Sequence, residues 1–123
     1  MSKQAIDAPR GQNLFLMDPN KITIIGLDTD HKEGEHELWD ERINRPVSDA
    51  MVKNLKAIGN IVPVKVRKNG KDADGNAIIE AVDGRQRIRA ARIARAEQEK
   101  AGEVPLALKV LVEQDDDVAG VMI

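Results

Sequence analysis

The sequence predicts an α+β fold, with strands and helices mixed in one domain. Three observations lead to it. One stretch repeats apolar residues at helical spacing, another is dense in helix formers, and each is followed by a glycine (Gly59, Gly102). Around them lie short runs rich in Val and Ile that read as strands. The length, 123 residues, suits one domain.

Residues 1–20 are expected as a flexible N-terminal arm, with the domain proper over 21–123. The first twelve are polar, with Pro9 and Gly11. The apolar run Leu14–Met17 is cut at once by the turn signal Asp18-Pro19-Asn20. Lys21–Leu27 (KITIIGL) reads as a strand, and the charged stretch 28–45 as a loop. Ser48 is a candidate N-cap for a helix carrying Met51, Val52, Leu55 and Ile58 on one face. Ile61–Arg67 alternates as a strand, with Pro63 confined to its start or to an edge. Asn69-Gly70 and Asp74-Gly75-Asn76 mark a hairpin connection, and Ala77–Val82 is the return strand. A second helix is expected from about Arg85 to Lys100. Val104–Val112 is a continuous apolar run, read as a strand buried on both faces. Asp115 opens a further helix that the chain ends within, so the domain is expected to be cut short at its C-terminal end.

Composition excludes several classes of function. One Trp, one Phe and no Tyr leave an aliphatic core and no aromatic platform for stacking bases. With no cysteine there is no disulfide, thiol catalysis or Cys-ligated metal. His31 and His36 stand in an acidic loop with too few further ligands, and read as solvated rather than as a metal site. No run of 18 apolar residues spans a membrane and no secretory signal is visible. These features are compatible with the cytoplasm. A net charge of −2 gives no global attraction to nucleic acid, but the distribution is uneven. Five arginines and no acid fall between Arg85 and Arg95, while residues 28–41 and Asp115-Asp116-Asp117 are acidic.

The most informative unit is the hairpin followed by Asp83-Gly84 and the arginine-rich helix. A helix N-terminus presents unpaired N–H groups and about half a positive charge. Gly84 lets the backbone approach a ligand, and Arg85 and Arg87 add forked donors that fit phosphate. Together these form a phosphate cradle. Arg87 falls on a helix face with Ala90, Ala91 and Ala94, so it needs an anion: a ligand, or Asp83 or Glu80 within the fold. Arg85, Arg89 and Arg92 share another stripe. For Arg89, Arg92 and Arg95 the plain reading is a solvated face.

The order helix, Gly59-Asn60-Ile61-Val62-Pro63-Val64, hairpin, Val82-Asp83-Gly84-Arg85-Gln86-Arg87-Ile88-Arg89-Ala90-Ala91 resembles the N-terminal domain of ParB partition proteins and their plasmid and phage relatives, over residues 40–123. In that family a strand leads into Gly-Glu-Arg-Arg-x-Arg-Ala. Gly84, Arg87, Arg89 and Ala90 match, while Arg85 and Gln86 replace the family's Glu and first Arg. The family's earlier Pro-Arg element has only Arg42, Arg45 and Pro46 nearby, in a different order. A later Glu-Asn-x-x-Arg element, which supplies metal and phosphate contacts, has no match.

The resemblance implies a ParB/sulfiredoxin-like fold, a small mixed sheet flanked by helices. It implies a nucleoside triphosphate at the glycine–arginine turn, CTP as in partition proteins or ATP as in sulfiredoxins, with Mg2+ accompanying it. The implied site is Gly84, Arg85, Gln86, Arg87 and Arg89, with Asp83, Arg42 and Arg45 as further contacts. DNA through a longer protein and a second copy of the chain are the implied partners, in a cytoplasm where the DNA lies. Two other functions stand beside this one. The first is an NTP-hydrolysing enzyme or nuclease, for which Asp83 and Glu80 are the metal-binding candidates; sulfiredoxin itself needs a cysteine and is excluded. The second is an adaptor domain with a degenerate site.

Overall fold

The computed structural model describes residues 13–113. Ser48 opens helix α1 (Asp49–Ile58), its Oγ accepting the Met51 N–H at 3.2 Å. Gly59 closes it in a positive-φ conformation, donating its N–H to Leu55 O. Helix α2 (Arg85–Lys100) begins after Gly84. Its inner face is Ile88, Ala90, Ala91 and Ala94, all fully buried. The three alanines let the helix lie close to the layer beneath.

Four strands form one mixed sheet: β1 (Asn13–Met17), β2 (Val64–Lys71), β3 (Ala77–Ala81) and β4 (Leu108–Glu113), in the order β1-β4-β2-β3. β1 is antiparallel to β4 and β2 to β3, while β2 and β4 run parallel. One sheet face, carrying Val64, Val66, Ile79, Ala81, Leu108, Val110 and Val112, joins the two helices in a single aliphatic core. The architecture is α+β, as expected.

The sequence expectations need four corrections. Asn13–Met17 is a sheet strand, inside the range expected as an arm; residues 1–12 lie outside the described residues. Lys21–Leu27 is not a strand. Thr23 makes one bridge to β3, donating to Ile79 O and accepting from Ala81 N. The chain then turns: the Asp28 carboxylate takes the Ile24 N–H at 2.7 Å, and the Leu27 and Asp28 N–H groups return to Ile24 O. Ile22, Ile24 and Ile25 are buried all the same, so the β-branched run is core without being a strand. β4 is covered on one face only: Leu108, Val110 and Val112 point in, while Lys109 and Glu113 are exposed. Asn69-Gly70 stays within β2 at a bulge, and the reversal is made at 72–76, where Asp72 Oδ1 accepts the N–H groups of Asp74 and Asn76. The helix expected from Asp115 lies outside the described residues.

Residues 18–48 cross the molecule with only two short 3-10 turns, Pro19–Lys21 and Glu41–Asn44. Such a segment leaves carbonyls without ladder partners. The arginines of α2 supply them. Arg92 donates to Pro19 O (3.2 Å) and Ile22 O (2.7 Å) and grips both oxygens of Asp28 at 2.7 and 3.1 Å. Arg95 reaches Leu106 O at 2.7 Å and lies 3.6 Å from Asp18. Arg89 donates to Ile43 O and Arg45 O at 2.7 and 2.6 Å. The stripe read as solvated is therefore a row of clamps on the loop. Trp39 lies in this loop, against the backbone of Gly26 and beside Ile43.

Removing a clamp costs more than removing a surface charge. Arg92→Ala is expected to lower the unfolding free energy by about 2–3 kcal/mol, because two carbonyls and a carboxylate lose a charged donor; urea titration checks it. Burial raises the Asp28 pKa, but the Arg92 hydrogen bonds, the Ile24 N–H and the Arg92 charge outweigh it, so the net shift is downward from 3.8. A depressed carboxylate stabilises the fold above its unfolded value and loses that contribution as pH falls through the folded one. The stability gap between the wild type and Asp28→Asn is therefore expected to shrink as pH drops below about 4. Urea midpoints measured from neutral to acid pH test this.

Candidate functional site

The end of β3 and the start of α2 build the site. The Val82 and Asp83 N–H groups both donate to Lys65 O, at 2.9 and 3.3 Å, which ties the turn to β2. Gly84 follows in the left-handed conformation (φ 78°). Glycine is required here twice over: that φ strains other residues, and a Cβ would lie 2.6 Å from Val64 Cγ1. The first-turn N–H groups of Arg85, Gln86 and Arg87 meet no acceptor among the described residues. They open on a cavity of about 450 Å³ lined by Arg42, Met51, Val82, Asp83 and residues 84–87. This is the turn the sequence singled out.

The expected site residues divide sharply within it. Arg87 is half-buried at the rim and makes one long hydrogen bond, 3.3 Å, to Val62 O. Among the described residues no acid pairs with it, so the internal partners considered for it, Asp83 and Glu80, are both ruled out. Glu80 is instead buried on β3, where Arg67 Nε (3.1 Å) and Asn69 Nδ2 (3.0 Å) hold its two oxygens. It stands apart from Asp83, which is exposed on the cavity wall.

Arg85 faces the other way. It is 8 % exposed and donates to Val82 O (3.0 Å) and Leu38 O (2.7 Å), with Asp40 3.7 Å away. Its Nε has no partner among the described residues. Burial lowers the Arg85 pKa, and the Asp40 charge opposes that shift. Gln86 spans Arg45 O and Pro46 O and accepts from Arg89. Gln86 and Arg89 thus fasten the 43–46 segment. The Arg45 carbonyl serves that clamp, and its side chain is exposed away from the cavity lining. Of the two further arginines expected, Arg42 is the one at the cavity.

Two residues with no expected role shape the site. Asp40 caps the 3-10 turn at Glu41–Asn44 by accepting the Arg42 N–H at 2.9 Å, and takes the Arg42 guanidinium on both oxygens at 2.6–3.2 Å. The Arg42 hydrogen bonds, against some burial, hold its carboxyl well below the usual carboxylate range. Asp-Glu before a short helix is a capping signal, and it was there to be read in the sequence. Asn60 is buried and links Val62 O to Lys109 N and O, fixing the loop whose carbonyl meets Arg87. Beside the cavity, and sharing Met51 and Arg87 with it, runs an apolar groove lined by Ile58, Ile61 and Val62. All three are exposed.

The geometry separates two arginines that composition cannot. Arg85→Ala is expected to cost about 3 kcal/mol, because Leu38 O, Val82 O and Asp40 all lose a buried donor. Arg87→Ala is expected to stay within about 0.5 kcal/mol of the wild type. Thermal and urea unfolding of the two variants decide it. In comparisons with known proteins, no family model matches this chain, and no curated protein matches it significantly.

Proposed function

We propose that this chain is a ParB/sulfiredoxin-like module that binds the phosphates of a nucleoside triphosphate, CTP or ATP, at the start of α2, in DNA partition or transcription regulation in the cytoplasm. One observation carries the reading: three helix N–H groups with no acceptor among the described residues, and Arg87, which pairs with no acid among them, lie at one cavity. Backbone donors, a positive helix end and a guanidinium together fit phosphate oxygens. The resemblance of the Gly84–Ala90 segment to the partition-protein turn agrees with this. DNA phosphate is the runner-up ligand. The apolar groove beside the cavity favours a nucleotide, because a base and ribose there leave the phosphates at Arg87.

The roles within the turn differ from those that the resemblance implies. Gly84 and Arg87 act on the ligand, with Arg42 across the cavity. Arg85, Gln86 and Arg89 act on the protein: they hold residues 38–46 so that Arg42 stands where it does. Mg2+ would arrive with the triphosphate, and Asp83 is the carboxylate placed to meet it. A nuclease would want a carboxylate pair, and Glu80 is occupied by Arg67 and Asn69. No helix among the described residues is long and apolar enough to cross a membrane.

Calorimetric titration with CTP, ATP and a short DNA duplex tests the reading. A triphosphate is expected to bind, and Arg87→Ala to weaken it by at least about tenfold, the loss of a hydrogen bond to a charged group (about 1.5–3 kcal/mol). Arg92→Ala, at a temperature where it is folded, is expected to leave the affinity unchanged. Binding of DNA alone would move the proposal to a DNA-phosphate site. No binding of any of the three would leave the adaptor reading.

A further inference from the structure

We propose that Asp40 is an internal competitor for the ligand: it clasps Arg42 and releases it when a polyphosphate enters. The inference rests on the phosphate-binding reading above and concerns how that site is regulated. Arg42, Arg85 and Arg87 are all among the residues at the cavity, although the Arg85 guanidinium turns into the protein. Asp40 contacts two of them. Arg42 gives it both prongs of its fork, while the Arg42 side chain remains 59 % exposed. An exposed arginine held by a carboxylate at a cavity wall can turn to a second anion, because only side-chain torsions need change.

Arg85 cannot make that move. Its two terminal nitrogens are fixed on Val82 O and Leu38 O in the protein interior. Among the described residues its Nε has no partner, and Asp40 is the carboxylate that pairs with it, at 3.7 Å. When Arg42 leaves, Asp40 keeps Arg85 as its counter-charge, so the carboxylate is not stranded. Two arginines of unequal freedom share one acid: the buried one anchors it and the exposed one is lent to the ligand. The local backbone survives the exchange, because Asp40 Oδ1 caps the Arg42 N–H independently of the guanidinium.

Asp40→Asn isolates the effect, since Asn caps a helix as well as Asp does. The probe is inorganic tripolyphosphate, titrated calorimetrically into the full chain at fixed ionic strength. Four proteins are compared: wild type, Asp40→Asn, Arg42→Ala and the double variant. Asp40→Asn is expected to tighten binding by about fivefold or more, the lower end of coupling between linked sites. In the Arg42→Ala background the same change is expected to alter binding by less than about twofold, because no guanidinium remains to be released.

Equal tightening in both backgrounds would mean a plain charge effect and would overturn the clasp while leaving the phosphate site standing. No change in either background, with the wild type still binding, would also overturn it. Failure of all four proteins to bind would overturn both readings. Should Asp40→Asn not fold, the wild type decides alone through the Arg42 Nε–H resonance. That signal is expected to shift as tripolyphosphate saturates the protein. An unmoved signal with ligand bound would overturn the proposal.

Discussion

Everything at the site depends on how α2 satisfies a segment that has almost no secondary structure of its own. Residues 18–48 bring their carbonyls past the helix without a strand to pair with, and buried backbone carbonyls must be paired. The helix answers with guanidiniums at Arg85, Arg89 and Arg92, each reaching a carbonyl of that segment, while Arg95 lies beside Asp18 and holds Leu106 O. Arginine suits this task because one rigid fork can serve two or three acceptors while its stem covers apolar surface. The sheet and helices form the aliphatic core, and the arginine row decides where the loop lies on it.

The same row explains how one helix both holds the loop and leaves its first turn open to the cavity. Its first turn has N–H groups with no intrahelical partner by construction, and the arginines nearest that turn are drawn into the protein, not into the cavity. Arg85 and Arg89 hold the walls, and Arg87, flanked by alanines, is left at the opening. The acidic loop is the counterpart of this arrangement. Asp18, Asp28 and Asp40 take charges from α2 or from Arg42 beside it, so a chain with nearly balanced charge still keeps a local positive cavity.

Much of the fold was legible from the sequence. Ser48 and Gly59 bracket α1, and the Ala-rich stretch after Gly84 is α2, because capping and propensity act locally. Lys21–Leu27 was misread for a physical reason. β-branched residues report burial as well as strand geometry, and here Asp28 closes a turn after a single bridge. β1 was missed because its apolar run is short, cut at once by a turn signal and largely exposed at a sheet edge; its pairing with β4 makes it a strand. The glycine–arginine turn was found, since Gly84 and the charge pattern are local. The division of labour among its arginines was not. A helical wheel places Arg85, Arg89 and Arg92 on one stripe but cannot say that a loop from earlier in the chain lies over it. The acidity of residues 28–41 was the available hint, as the complement of the arginine row.

Trp39, the chain's single tryptophan, sits in that loop, wedged on Gly26 one residue after the carbonyl that Arg85 holds. With no tyrosine in the chain, intrinsic emission excited in the near ultraviolet comes from this one ring. It is an optical gauge of the loop rather than of the sheet. Solvent reaching the indole would redden its spectrum when the loop lifts from α2, even with the strands still paired, so fluorescence and far-ultraviolet dichroism followed together separate loop release from global unfolding.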